Sequence, residues 1–210
     1  MRGFILFSLT LQAVKILVDE HIWDFDLQAA LRDVSEQRRE QALRFRHELG
    51  QRLSVLAYRL LKRCLSELYG MEGNPRLEYD EHGKPAIAGR PDICFSLSHC
   101  REAVACAVST RPVGIDVEAI REYRPSLVRY TMNDEETAAV EHADDPAAAF
   151  IRLWTMKEAT VKLTGTGIST DMKGVIDHER VAYHTTQHDR YVLSVAQWAT
   201  DERSAEEPAR

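Results

Sequence analysis

Between Ser35 and Tyr69, apolar residues recur at helical spacing. Leu53, Leu56, Leu60, Leu61, Leu65 and Leu68 share a stripe, while Arg52, Arg59 and Lys62 take other faces. Gly50 is the single glycine in this run, so one helix is predicted over 35–69, stopped by Gly70 and by Gly73-Asn74-Pro75. Leu77-Glu78-Tyr79 and Pro85-Ala86-Ile87 flank Asp80-Glu81-His82-Gly83, which predicts a hairpin with a positive φ at its glycine. Three strands are expected over 93–98, 103–109 and 113–117. Asn133 followed by Glu136 has capping-box spacing and opens a helix. Asp145-Pro146 opens another, which runs to about Thr164 and stops at Gly165. Two last strands fall near 181–184 and 190–197, and an early buried strand is expected over Phe4–Leu11.

The order of strand, helices, strands, then helices and strands predicts an α+β fold. Two halves of comparable plan, each a small antiparallel sheet packed with helices, would meet near residue 110. The expected division is 1–109, 110–199 and a polar, frayed tail over 200–210.

Composition narrows the class. A chain of 210 residues, 44% hydrophobic and 29% charged, is long enough to bury a core without staples. A formal net charge of −6 argues against nucleic acid as a main partner, because phosphate neutralisation needs a basic face. No apolar run approaches the roughly 18 residues of a membrane span. Met1-Arg2 ahead of Phe4-Ile5-Leu6-Phe7 has a faint secretory look, but Lys15 and Asp19 come early and no small-residue cleavage site follows. Cys64, Cys94, Cys100 and Cys106 form no C-x-x-C pair, so reduced cysteines and a cytoplasmic protein are expected.

Chemistry concentrates in four segments. In Val113-Gly114-Ile115-Asp116-Val117-Glu118, strand alternation puts Asp116 and Glu118 on one face and Ile115 and Val117 on the other. Adjacent carboxylates repel, and a hard divalent cation such as Mg²⁺ relieves them, although a solvated sheet edge explains two carboxylates equally well. In Trp154-Thr155-Met156-Lys157-Glu158-Ala159-Thr160-Val161-Lys162, Glu158 and Lys162 share a helical face. An ordinary surface ion pair has that same spacing. Ser98-His99 ends a strand where the chain turns back, and Gly83-Lys84-Pro85 holds a lysine at a tight turn.

Together and in this order, these segments resemble the 4′-phosphopantetheinyl transferase superfamily, in its larger, pseudo-dimeric Sfp-type form. That family's pattern includes a G-K-P turn, an S-H segment, G-[IV]-D-[IV]-E and W-[ST]-x-K-E-[SA]-x-x-K. The motif-bearing stretch is 83–162, and weaker similarity continues upstream through Arg44-Phe45.

The resemblance implies transfer of the phosphopantetheine arm of coenzyme A to a serine hydroxyl of an apo acyl or peptidyl carrier protein, with release of 3′,5′-ADP. It also implies a monomer whose active site lies at the junction of the halves. Asp116, Glu118 and Glu158 would hold Mg²⁺ (or Mn²⁺), and Lys162 would face the coenzyme A pyrophosphate. Lys84, Ser98 and His99 would contact the 3′-phosphate, with Gly83 and Pro85 along the adenine. Arg38 and Ser54 align with upstream nucleotide contacts, while a family lysine position falls on Gln41. Glu136 and Glu135 compete as acceptor of the serine proton. Spacing and capping favour Glu136, and a capping role alone explains it equally. Two other readings use the same residues: a Mg²⁺-dependent phosphoryl hydrolase, and a non-catalytic scaffold that binds coenzyme A or a carrier protein.

Overall fold

The computed structural model describes residues 14–167, 171–177 and 179–199; the strand expected over Phe4–Leu11 and the tail over 200–210 lie outside the described residues. The chain runs β1 (Lys15–Asp19), α1 (Leu27–Asp33), α2 (Glu36–Leu43), α3 (Glu48–Tyr69), β2 (Leu77–Tyr79), β3 (Pro85–Ile87), β4 (Cys94–His99) and β5 (Val104–Ser109). It continues with β6 (Val113–Ala119), α4 (Pro125–Thr131), α5 (Asp134–Glu141), α6 (Pro146–Thr164), a 3₁₀ turn (Met172–Gly174), β7 (Val181–Gln187) and β8 (Tyr191–Trp198).

The fold is α+β, with small antiparallel sheets packed with helices. One three-stranded sheet has the order β1-β5-β4 and the other β6-β8-β7, and β2 pairs with β3 as a separate hairpin. Both larger sheets are wound alike: a strand, then helices, then an antiparallel pair whose last strand takes the centre. The long helix α3 lies on β4 and β5, and α6 lies on β6 and β8.

Local signals set most of the boundaries. Ser35 Oγ accepts from the Arg38 amide at 3.2 Å to start α2. Asn133 and Glu136 form a reciprocal capping box at α5. Asp145 caps α6, Pro146 enters its first turn, and Gly165 ends it at φ 74°. Gly83 has φ 82°, as its turn requires.

Three expectations change. The helix expected over 35–69 is two helices, because the chain turns at 44–47. There the Phe45 ring folds onto Gly50, where a Cβ would come within 2.7 Å of Phe45 Cδ1. Gly50 is therefore the seat of a ring and not a tolerated glycine inside a helix. Leu68, on the predicted stripe, is exposed. Strand β1 forms from Lys15-Ile16-Leu17-Val18-Asp19, whose charged ends hide a strand signal. Its register with β5, Lys15↔Val108 to Asp19↔Val104, supplies the backbone partners that local propensity does not.

β5 serves two cores. Val104, Cys106 and Val108 enter a buried cluster with Leu56, Leu60 and Leu61 of α3. Ala105 and Ala107 face the other way, into a cluster with Ile115 and Val117 of β6 and Leu193 and Val195 of β8. Alanines on this face let the two sheets approach closely. All four cysteines are free thiols. Among the described residues, no helix is long and apolar enough to cross a membrane.

β6 and α6 meet backbone to backbone at Gly114. A Cβ there would lie 1.9 Å from the Ala159 carbonyl oxygen and 2.6 Å from the Leu163 amide nitrogen. Neither atom can rotate away. Gly114→Ala is expected to cost stability at the upper end of the roughly 1–3 kcal/mol typical of overpacking, by forcing α6 off the sheet. Urea denaturation of the variant checks this, and an unchanged midpoint would show that α6 does not depend on the close approach.

Candidate active site

The edges of the two sheets meet where β4 passes β6. Ser96 Oγ accepts from the Ile115 amide at 3.1 Å, and Ser98 Oγ accepts from the Val117 amide at 3.2 Å. These are edge amides of β6, and hydroxyls take the place of a further strand. Gly114, Asp116 and Glu118 share the face of β6 that looks onto α6. Close packing at Gly114 therefore brings Glu158 and Lys162 of α6 alongside Asp116 and Glu118.

All four line a cleft of about 720 Å³ between the sheets. Lys162 Nζ lies 2.8 Å from Asp116 Oδ1 and 2.9 Å from Ser98 Oγ. Ser98 Oγ in turn donates to Asp116 Oδ1 at 2.8 Å. Asp116 is buried, and its second oxygen, Oδ2, has no hydrogen-bond partner among the described residues. Burial, and next the charge of Asp116, pushes the Glu118 and Glu158 carboxyls above the usual carboxylate range.

Among the described residues, no group of three or more His, Cys, Asp or Glu side chains is placed to hold a metal ion as it stands. The donor set nonetheless suits an ion completed by its substrate. Mg²⁺ commonly takes one or two carboxylates, substrate phosphate oxygens and water, not a closed protein cage. An orphaned Asp116 Oδ2 and two carboxyls crowded by the charge of Asp116 are an all-oxygen cradle of that kind.

The rest of the cleft is cationic and aromatic. Arg38 lines it with Nε buried and unpaired among the described residues, its guanidinium 5.3 Å from the centre of the Tyr58 ring. Burial lowers the pKa of Arg38 from the ordinary guanidinium value, though the group stays charged. Ser54, buried, and Pro85 line the same wall. Gln41 Nε2 donates to the Tyr79 hydroxyl at 3.0 Å. His99 keeps an open side to solvent, but protein crowds the rest of its ring. Burial and then Lys162 pull its pKa below the usual imidazole value.

The cleft thus gathers Asp116, Glu118, Glu158, Lys162, Ser98, His99, Pro85, Arg38 and Ser54. Four expected residues stand elsewhere. Glu136 is not brought to the cleft: its carboxylate accepts from the Asn133 amide at 2.9 Å and pairs with Lys157 Nζ at 2.8 Å. Glu135, its competitor, is exposed on α5 and does not line the cleft either. Lys84 turns its ammonium to the Leu163 carbonyl at 2.9 Å, where the C-terminus of α6 favours a cation. Gly83 shapes the turn behind it without lining the cleft.

Two residues escaped the sequence reading. Tyr79 enters the cleft because it pairs in register with Pro85, so hairpin pairing carries the signal. Lys157, in the Trp154–Lys162 motif, is fully buried between Glu136 and the Met172 carbonyl, 2.6 Å away. It ties α5 and the 3₁₀ turn to α6.

Known proteins are similar to this chain in sequence. The sequence profile of the 4′-phosphopantetheinyl transferase superfamily matches residues 112–204. The 4′-phosphopantetheinyl transferase ffp of Bacillus subtilis is 30% identical over 162 residues, 74% of this chain and 72% of that protein. The 4′-phosphopantetheinyl transferase HetI of Nostoc sp. is 31% identical over 171 residues, 73% of this chain and 72% of that protein. The psf-1 transferase of Bacillus pumilus is 34% identical over 139 residues, 65% of this chain. The chain spans 62% and 60% of the lengths of a Bacillus subtilis 4′-phosphopantetheinyl transferase and of psf-1. With its strand-borne carboxylates, its helix-borne glutamate and lysine, and these relatives along most of its length, the chain belongs to the 4′-phosphopantetheinyl transferase superfamily.

Proposed function

We propose that the protein transfers the 4′-phosphopantetheine group of coenzyme A to a serine hydroxyl of an apo acyl or peptidyl carrier protein, releasing 3′,5′-ADP, with Mg²⁺ as cofactor. The observation that carries this reading is the cradle itself. Asp116, Glu118 and Glu158 stand with Lys162 in one cleft, and Asp116 Oδ2 is left without a partner among the described residues. The relatives named as 4′-phosphopantetheinyl transferases supply the group transferred.

In the reaction the serine oxygen bonds to the phosphorus that carries pantetheine, the bond from that phosphorus to the bridging oxygen breaks, and 3′,5′-ADP departs. Asp116, Glu118 and Glu158 would hold the ion. When bound, Mg²⁺ neutralises charge on the pyrophosphate and on the departing group. Lys162 Nζ, beside Asp116, offers a compact cation to the leaving phosphate, whose charge grows as the bond breaks. With Glu136 committed to Lys157, the serine proton passes to Glu158, a carboxylate that lines the same cleft as Lys162. Arg38 and His99 bind the nucleotide phosphate at the other wall, and the unpaired Arg38 Nε is a donor awaiting an acceptor.

Incubation with coenzyme A and Mg²⁺ should add one phosphopantetheine to an apo-carrier serine, read by mass spectrometry, with equimolar 3′,5′-ADP. EDTA should stop the reaction and Mn²⁺ should restore it. Nucleotide release without carrier modification would mark a hydrolase instead, and coenzyme A binding with neither product would mark a scaffold.

Lys162→Ala should lower kcat on the order of 10²-fold, with a modest rise in KM for coenzyme A, because its charge is felt most in the transition state. Lys162→Arg should recover little, since a planar fork does not fit the place of a point charge. Steady-state kinetics that give a near-normal kcat for Lys162→Ala would reduce the Asp116 contact to a structural ion pair.

At the nucleotide wall, Arg38→Gln should weaken coenzyme A binding by about tenfold or more and dephospho-coenzyme A binding much less. A charge-assisted phosphate contact is worth roughly 1.5–3 kcal/mol. Calorimetry with both ligands decides it, and equal weakening would move the 3′-phosphate away from Arg38.

A further inference from the structure

Ser194, on β8, stands between two register partners. Asp116 faces it across β6, and Thr185 faces it across β7. Residues paired in this way share a face of the sheet, so the three form one polar row under α6. Ser194 and Thr155 of α6 are both fully buried, and their hydroxyl oxygens lie 2.8 Å apart. Thr155 Oγ1 gives its proton to the Arg152 carbonyl at 3.0 Å, so it accepts from Ser194. Ser194 Oγ in turn accepts from Thr185 Oγ1 at 2.9 Å. A hydroxyl has one proton to give, so the chain from Thr185 through Ser194 and Thr155 to the Arg152 carbonyl runs one way.

The contacts on either side of this row are apolar. Phe150 and Ile151 of α6 cluster with Val192, and Ala159 and Leu163 cluster with Ala196. Apolar contact is non-directional and tolerates a roll of the helix, whereas a hydrogen bond fixes distance and angle. Gly114 admits the α6 backbone close to β6, but a missing side chain constrains no rotation. We propose that Ser194 is a positioning residue for the transfer reaction. Through Thr155 it sets the rotation of α6 on the sheet. Glu158 and Lys162, on the next two turns of that helix, are thereby aimed at Asp116, the cross-strand neighbour of Ser194. Neither Ser194 nor Thr155 lines the cleft, so the effect passes through the helix. The inference rests on the proposed transfer of phosphopantetheine.

Removing the hydroxyls at nearly constant shape separates position from stability. A triple variant that combines Thr155→Val, Ser194→Ala and Thr185→Val leaves no hydroxyl of the row unpaired, so its fold should survive. Thr155→Ser keeps the hydroxyl and drops only a methyl group, whereas Thr155→Val keeps the shape and drops the hydroxyl.

The experiment is steady-state transfer to an apo-carrier at saturating Mg²⁺, with the fold of each variant checked by urea denaturation. Ser194→Ala and Thr155→Val should each lower kcat about tenfold or more and leave KM for coenzyme A within about twofold. A small misplacement of reacting groups is felt in the transition state, while the nucleotide wall on the first sheet is untouched. Thr155→Ser should keep kcat within about threefold of the unmodified protein. The triple variant should be as slow as Ser194→Ala, and it decides the matter should Ser194→Ala not fold. A near-normal kcat in either of these two, a loss carried by KM instead of kcat, or Thr155→Ser as slow as Thr155→Val would each overturn the proposal. An unmodified protein that transfers nothing would overturn the transfer reading itself, and the role of Ser194 with it, a result distinct from any difference among the variants.

Discussion

Backbone N–H groups at the edge of a sheet must find acceptors when they are buried, and in this protein that requirement decides where the site forms. Among the described residues, the amides of Ile115 and Val117 on β6 have no strand beyond them on the side of β4. They are met by Ser96 Oγ and Ser98 Oγ. Two sheets of matching topology are thereby fastened edge to edge by side chains instead of a continuous ladder. A seam built of hydroxyls leaves a cleft beside it that a further ladder strand would close.

A second constraint places the helix. Gly114 lets the α6 backbone rest on β6 at a distance that no side chain permits. Glu158 and Lys162, one turn apart on α6, then lie over Asp116 and Glu118. The buried ion pair of Lys157 with Glu136, and the Lys84 ammonium on the Leu163 carbonyl, hold the same helix from two other directions. Of the charged residues in the Trp154–Lys162 motif, Lys157 thus serves the position of α6, while Glu158 and Lys162 face the cleft.

The electrostatics follow from that geometry. Burial first, and then the charge of Asp116, pushes Glu118 and Glu158 toward the protonated form. Lys162 compensates part of the charge at Asp116 Oδ1, and Oδ2 remains open. The Arg38 guanidinium gives the rest of the cleft its positive character, while burial and Lys162 favour the neutral ring of His99.

Features that depend on neighbours along the chain were legible in the sequence. Alternation placed Asp116 and Glu118 on one face. The spacing of Glu158 and Lys162 put them together, and Asn133, Asp145, Gly70 and Gly165 marked helix ends that the structure reproduces. Each of these follows from the period of a strand or helix, or from a cap, and needs no distant contact. What only the tertiary structure decided concerns side chains whose partners come from far along the chain. Glu136 sits at a capping position that the sequence announced, yet Lys157 on another helix takes its carboxylate. Lys84 meets a carbonyl 79 residues away, Ser98 meets an aspartate 18 residues away, and β1 exists because β5 offers it a register. A buried polar group takes whichever partner folding brings within about 3 Å, and no pattern of neighbours encodes that choice.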